Sequence, residues 1–148
     1  MNQIYLATKV PSVNHYWKGS GRHRYISPEG RAFKQQVAWQ AKRNNFQLLE
    51  GDVEVVIEWF KKGRQRGDLD NILKVIMDSL NGIGYQDDKQ VKSITARLWE
   101  QTGNDGVEIR VLPIEWKHGQ YAATLATNLG KGEVSRNNHT MVELKLQS

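Results

Sequence analysis

Four carboxylates stand in two close pairs, Asp68 with Asp70 and Asp87 with Asp88, on either side of a segment that carries Lys74. Arg64 and Arg66 lie just ahead of the first pair, in the run Lys61-Lys62-Gly63-Arg64-Gln65-Arg66-Gly67. Hard carboxylate oxygens are what Mg2+ takes as ligands, commonly one or two of them with water and phosphate oxygens completing the shell. Three or four acids converging beside these bases would hold a divalent metal against a phosphate. Because the pairs lie at opposite ends of one segment, convergence requires the chain after that segment to fold back.

The segment itself reads as an amphipathic helix. Leu69, Ile72, Leu73, Ile76, Met77 and Leu80 recur at the spacing of one apolar helical face. Asp68 has the side chain of an N-cap, and Asn81-Gly82 with Gly84 supply the stop. Asp70, Asn71, Lys74 and Asp78 share the polar side, each of the two acids four residues from the lysine. Two readings of the acids stand side by side. In one, Asp68 caps the helix, Asp70 answers its dipole, and Asp87-Asp88 belongs to a turn before a strand. In the other they are metal ligands. Capping enriches acids at the same places, so spacing alone does not choose.

The flanking elements follow in order. Ile4, Leu6 and Thr8 alternate with polar neighbours, as a strand ended by Pro11 does. The segment from Pro11 to Gly30 mixes Lys18, Arg22, His23 and Arg24 with His15, Tyr16, Trp17 and Tyr25. Bases among aromatics suit a loop that faces nucleic acid, and they suit equally a solvated loop whose rings fold onto the core. Ser27 as cap and Pro28 at the first position open a helix that runs to about Asn44. Its apolar face carries Phe33, Val37, Ala41 and either Trp39 or Gln40, while Arg31, Lys34, Lys42 and Arg43 read as a solvated side.

Val53, Val55, Ile57 and Trp59 predict a strand that leads into the arginines, and Val91, Ile94, Ala96 and Leu98 another ending near Trp99. The turn cluster from Gln101 to Gly106 then makes Val107, Ile109 and Val111 the returning strand of a hairpin, with Asp105 in a turn role and not a ligand. The fold expected is a small mixed α+β domain over residues 1–113, in the order strand, helix, strand, helix, two strands. Residues 114–148 read as a C-terminal extension of unknown role, in which Tyr121, Leu125 and Leu129 suggest a short helix and Val142, Leu144 and Leu146 a late strand.

A chain of 148 residues is most simply one domain, and its formal charge of +5 favours a polyanionic partner. With no cysteine there are no disulfides, thiolate zinc sites or cysteine nucleophiles. His15, His23, His118 and His139 lack ligand spacing, which argues against zinc. No apolar run reaches membrane-spanning length and Met1-Asn2-Gln3 does not begin a signal peptide, so a soluble cytoplasmic protein is expected.

In these residues the sequence resembles the RusA family of Holliday-junction resolvases. The resemblance rests on Arg66-Gly67-Asp68-Leu69-Asp70-Asn71, Lys74, Asp78-Ser79-Leu80, Gly84 and Asp87-Asp88-Lys89-Gln90-Val91. Pro11-Ser12-Val13-Asn14, Ser27, Gly30 and Phe33 support it, and it runs from about Ile4 to Val111. An isolated Asp-Leu-Asp-Asn is weak, whereas these motifs in this order are specific. The resemblance implies homodimeric crossover junction endodeoxyribonucleases, of bacteria or their phages, that bind four-way DNA junctions. Such enzymes nick opposing strands symmetrically in recombination and repair, with Mg2+ as cofactor and Mn2+ as an alternative.

The same resemblance makes Asp68, Asp70 and Asp88 the metal-binding and catalytic acids, with Asp87 the second acid of the adjacent pair, and Lys74 the catalytic lysine. Arg64, Arg66, Lys18, Arg22 and Arg24 are the bases expected to contact DNA phosphates. Family members often carry an unbroken arginine run before the first aspartate; Gln65 and Gly67 interrupt it here. A two-fold dimer suits a junction with two equivalent scissile phosphates, its structure read by shape. Two other readings remain: a nuclease acting on flaps or other branched DNA, and a basic DNA-binding module without activity whose acids only cap and pair.

Overall fold

Strict alternation puts Val53, Val55, Ile57 and Trp59 on one face of β4 (Val53–Phe60), and all four are buried. The computed structural model describes residues 1–64 and 68–116 and the backbone of residues 142–145. In it β4 is the centre of a five-stranded sheet, ordered β1 (Asn2–Leu6), β6 (Gly106–Pro113), β4, β5 (Val91–Trp99), β7 (Val142–Lys145). β5 runs parallel to β4, and every other neighbouring pair is antiparallel. Ile4, Leu6, Ile94, Ala96, Val107, Ile109 and Val111 join β4's inward face in one core, closed by the apolar sides of α2 (Pro28–Arg43) and α3 (Asp70–Ser79). Each fully buried branched side chain of this core, Ile57 or Ile76 for example, contributes about 1.5–3 kcal/mol. This is the mixed α/β domain the sequence predicts.

α2 begins as expected: Pro28 opens it and the Ser27 hydroxyl oxygen accepts from the Gly30 amide at 3.0 Å. Its buried residues are Gly30, Phe33, Val37 and Ala41. Trp39 is not among them; it is 66 % exposed, while Gln40 is half-buried. α3 buries Ile72, Val75 and Ile76, and Leu80 just beyond its end, with Leu69, Leu73 and Met77 at the margin of the core.

Three expectations are corrected. β5 and β6 do not form a hairpin, because both flank β4: Phe60 pairs with Trp99 on one side and with Gly106 on the other. The intervening turn steps over the end of β4, where the Lys61 amide donates to Trp99 O (2.8 Å), the Thr102 amide to Lys61 O (3.1 Å) and the Lys62 amide to the Asp105 carboxylate (3.0 Å). Alternation marks a strand but does not name its neighbour.

Asp68 is not the N-cap of α3. Leu69 stands at that position already in helical geometry (φ −57°, ψ −37°) with no side-chain cap bond, and it is the backbone carbonyl of Asp68 that accepts, from the Asn71 amide at 3.1 Å. The segment from Pro11 to Gly30, third, is not one loop. It forms α1 (Val13–Tyr16) and a hairpin of β2 (Trp17–Lys18) and β3 (Tyr25–Ile26) around a single 3-10 turn at Gly21–His23. Gly19 makes the hairpin's bend at φ +87°, where a Cβ would meet His23 O at 2.1 Å.

Directly after Pro113 the Ile114 amide donates to Asp52 O and the Trp116 indole to the Asp52 carboxylate, and further on β7 adds the strand beside β5. The expected helix over Tyr121, Leu125 and Leu129, with Leu146, Lys117, His118 and His139, lies outside the described residues. Among the described residues no helix is long and apolar enough to cross a membrane.

Candidate nucleic-acid and metal site

Since β4 and β5 are parallel, α3 between them must run back along the sheet. Asp68 and Asp70 therefore follow the carboxyl end of β4, and Asp87 and Asp88 precede the amino end of β5. The two acidic pairs stand at opposite strand-end edges of the sheet, one where β4 leaves it and one where β5 enters; from Asp70 to Asp78 alone α3 rises about 12 Å. The chain does turn after α3, but the turn carries Asp88 to Asp78 and not to Asp70. Among the described residues no group of three or more His, Asp or Glu side chains is placed to hold one metal ion.

At the first edge Asp68 and Asp70 are exposed, and neither caps α3 with its side chain. Lys74 is exposed one turn further on. The ion pairs among the described residues join Arg97 to Glu58 and Arg110 to Glu108, so the surface pairing of Lys74 with Asp70 and Asp78 is not made.

The second edge is held more tightly. Asp88 starts a 3-10 turn (Asp88–Gln90) in which the Asp87 carboxylate accepts from the Lys89 amide at 2.9 Å. Gln90 Oε1 accepts from the amides of Gln86 and Asp87, at 2.8 and 3.2 Å. Its Nε2 donates to Leu49 O and Gly51 O, at 2.9 and 2.8 Å, which fastens the acidic turn to the chain entering β4. The Tyr85 hydroxyl donates to Met77 O at 2.6 Å, and the Tyr16 hydroxyl to the Asp78 carboxylate.

Negative charge is crowded here. The hydrogen bond with Asp87, then burial and the charges of Asp87 and Asp78, hold the Asp88 carboxyl above its ordinary value. The Lys89 amide, and after it the bond from Asp88, pull Asp87 the other way. Burial first, then the charges of Asp88 and Asp78, pushes the Tyr85 phenol well above its usual range; burial and the Asp78 bond do the same to Tyr16. Oxygen-only donors under like charge that Lys89 offsets only in part are the chemistry a hard divalent cation satisfies. The donor set thus fits Mg2+, although one chain does not gather all of it at one point.

Lys18, Arg22 and Arg24 are exposed on and beside the β2–β3 hairpin, where the Arg24 guanidinium lies 5.6 Å from the centroid of the Trp17 ring. Arg64 is exposed at the other edge, and Arg66 lies outside the described residues. Sequence reasoning overlooked Asp78, Tyr85 and Gln90. In the sequence Asp78 reads as a partner of Lys74 and a member of a motif, and Gln90 only as part of a motif. Nothing in the sequence signals Tyr85, whose role comes entirely from the fold.

The family model described as endodeoxyribonuclease RusA matches residues 7–112. A crossover junction endodeoxyribonuclease rusA from Enterobacteria phage HK97 is 36% identical over 88 residues, 57% of this chain and 72% of that one. Its counterpart from Enterobacteria phage 82 is 36% identical over 83 residues, 55% of this chain and 69% of that one. The protein of the same name from Escherichia coli K12 is 35% identical over 83 residues, with the same coverage.

Proposed function

This chain belongs to the RusA family of endodeoxyribonucleases, and we propose that it acts as a Mg2+-dependent homodimer that resolves four-way DNA junctions by paired nicks in recombination and repair. The observation that carries this reading is the content of the matched span. Residues 7–112 take in both acidic pairs, Lys74 and the basic hairpin, and all of these side chains are exposed. Acids that only capped and paired would have their carboxylates engaged locally. Asp87 does cap its 3-10 turn, but Asp68 and Asp70 do not cap α3, and Asp88 is held against like charge.

In this reading Asp68, Asp70 and Asp88 hold the ion, with Asp87 supporting Asp88, and Mn2+ can replace Mg2+. A bound divalent ion supplies a more acidic water and charge stabilisation on the phosphoryl oxygens. The carboxylates orient the attacking water. Lys74 places a point charge against the scissile phosphate. Lys18, Arg22, Arg24, Arg64 and Arg66 bind flanking phosphates and fix the register of the DNA.

The homodimer answers the separation of the acids. A two-fold axis crossing α3 near its middle lays the amino end of one copy's helix beside the carboxyl end of the other's. Asp68 and Asp70 of one protomer then meet Asp88 of its partner, and symmetry makes two such sites. Two equivalent sites suit two equivalent scissile strands.

The deciding experiment compares cleavage of a synthetic four-way junction, a flap and a linear duplex, in Mg2+ and in EDTA, by wild type and Asp70→Asn. Mg2+-dependent nicking selective for the junction is expected, with the variant still binding it but no longer cutting. Equal cutting of flaps would favour a general branched-DNA nuclease. No cutting by the wild type would leave a basic DNA-binding module.

A further inference from the structure

Two cavities, of about 560 and about 590 Å3, lie along α2 between it and the chain that leaves β1, and meet at Thr8, Ala32 and Gln36. The first is closed by Trp59, Lys61, Asn71 and Ile72, the last two from the first turn of α3 directly after Asp70. The second opens beside Trp39, Gln40 and Arg43. Together they form a groove that starts next to the first acidic pair and ends at an exposed indole. Trp39 is 66 % exposed, and the Arg43 guanidinium lies 5.7 Å from its ring centroid. Two acids also line the first cavity: Asp105, whose Oδ1 accepts from the Lys62 amide, and Glu29 at the start of α2.

We propose that this groove binds a segment of unpaired DNA, one base stacking on Trp39 and the strand passing along Gln36 toward Asn71. The inference rests on the nuclease reading only for where the strand leads; its occupant is argued from the lining. An indole face accepts a base only when that base has a free face, which bases inside a duplex lack. Side-chain amides offer both a donor and an acceptor, so Gln35, Gln36 and Gln40 can meet any base edge without selecting a sequence. Cations at both ends, Lys9 at one and Arg43 at the other, suit a backbone charged along its length. Strands unstacked at the centre of a distorted junction have these properties.

A second copy of the chain is a poorer occupant. Among the residues lining the groove Trp39 is the large apolar side chain exposed to solvent, too little apolar surface for the core of a homodimer interface.

The test uses full-length wild type, Trp39→Ala and Trp39→Phe, with labelled oligo-dT and a duplex of equal length as probes and sedimentation to follow self-association. Trp39 is exposed, so both variants are expected to fold. Trp39→Ala should weaken oligo-dT binding about tenfold, with Trp39→Phe retaining most of it and duplex affinity unchanged. Unaltered oligo-dT affinity in Trp39→Ala overturns the proposal, as does an equal loss for duplex, or a loss of self-association in place of DNA binding. Failure here is separable from failure of the proposed function. A wild type that cuts junctions while Trp39→Ala binds oligo-dT normally removes the groove alone. A wild type that cuts nothing while Trp39→Ala loses oligo-dT removes the resolvase reading and keeps the groove.

Discussion

The Tyr16 hydroxyl donates to the Asp78 carboxylate, joining the short helix that leads into the basic hairpin to the end of α3 that carries the second acidic pair. Tyr16 is fully buried and Asp78 half-buried. Tyr16→Phe keeps the ring's packing and removes only the bond. A bond to a charged acceptor contributes about 1.5–3 kcal/mol, less where solvent reaches the charge, so a loss of about 1–2 kcal/mol is expected. Urea unfolding should show a lower midpoint with an unchanged slope; an unmoved midpoint would mean that the bond contributes nothing net.

Gly30 is where α2 meets that same hairpin. A Cβ there would lie 2.8 Å from Ile26 Cγ2, from Tyr16 Cδ2 and from Tyr16 O, and the last of these is backbone. Tyr16 O is also the acceptor for the Ser27 amide at 2.8 Å, so it cannot withdraw without breaking the entry to α2. Gly30→Ala is expected to cost about 1–3 kcal/mol through overpacking. It should also weaken binding of a four-way junction, because the displaced element carries Lys18, Arg22 and Arg24. Stability and junction affinity both at wild-type level would contradict this account.

How far the fold was legible depended on the kind of information each residue carries. Val53, Val55, Ile57 and Trp59 declared β4 through alternation, and Ser27-Pro28 declared the start of α2 through cap chemistry, since both signals are local. Neighbour relations are not local: nothing in Val107, Ile109 and Val111 distinguishes pairing with β5 from pairing with β4 and β1. The β2–β3 strands are too short for any period to show, and only the Trp17–Ile26 and Lys18–Tyr25 pairings reveal them.

For the site, the residue types and their place at the two ends of α3 were legible; that the fold-back after α3 does not bring the pairs together was not, although it follows from the order of elements. Once β4 and β5 are parallel strands joined through α3, Asp70 and Asp88 must fall at opposite edges of the sheet. Trp39 was ambiguous for a different reason. At helical spacing it borders the apolar face, and only packing against the sheet decides which side of that border it takes.

The Asp87–Asp88 pair gives an acid-range expectation with a defined sign. Asp88 is raised above the ordinary 3.8, chiefly by its bond with Asp87, so the folded state keeps this proton where the unfolded chain has released it. Its contribution to stability is present below 3.8 and is lost as pH rises through the raised value. Asp87, depressed chiefly by the Lys89 amide, acts oppositely: its contribution is present above 3.8 and is lost as pH falls through the lowered value. In Asp87→Asn the charge and the carboxylate acceptor disappear, so the Asp88 midpoint should fall toward 3.8 while burial and Asp78 keep it somewhat above. Carbon NMR of the Asp88 carboxyl reads this directly, and a midpoint that stays put or rises would show that Asp87 is not its main perturber.

The separation of the acids across α3 makes the site's composition testable by mixing. On the homodimer and the ligand set proposed above, Asp70→Asn and Asp88→Asn are each expected to bind junctions and not nick them, because every site would lack one ligand. When the two variants are mixed and allowed to exchange subunits, half of each heterodimer's composite sites draw Asp70 and Asp88 from the unaltered positions of different copies, and the other half carry both substitutions. If the acids are gathered across the two-fold axis, the mixture nicks one strand of the junction and leaves the opposing strand whole. If each chain gathers its own acids, every site in the heterodimer still lacks one and the mixture stays inactive. Size-exclusion with differently tagged copies confirms exchange, so silence in a mixture known to contain heterodimers would count against assembly of the site between protomers. Single-strand nicking there, absent from either variant alone, has no source within one chain, where Asp70 and Asp88 stand on opposite edges of the sheet.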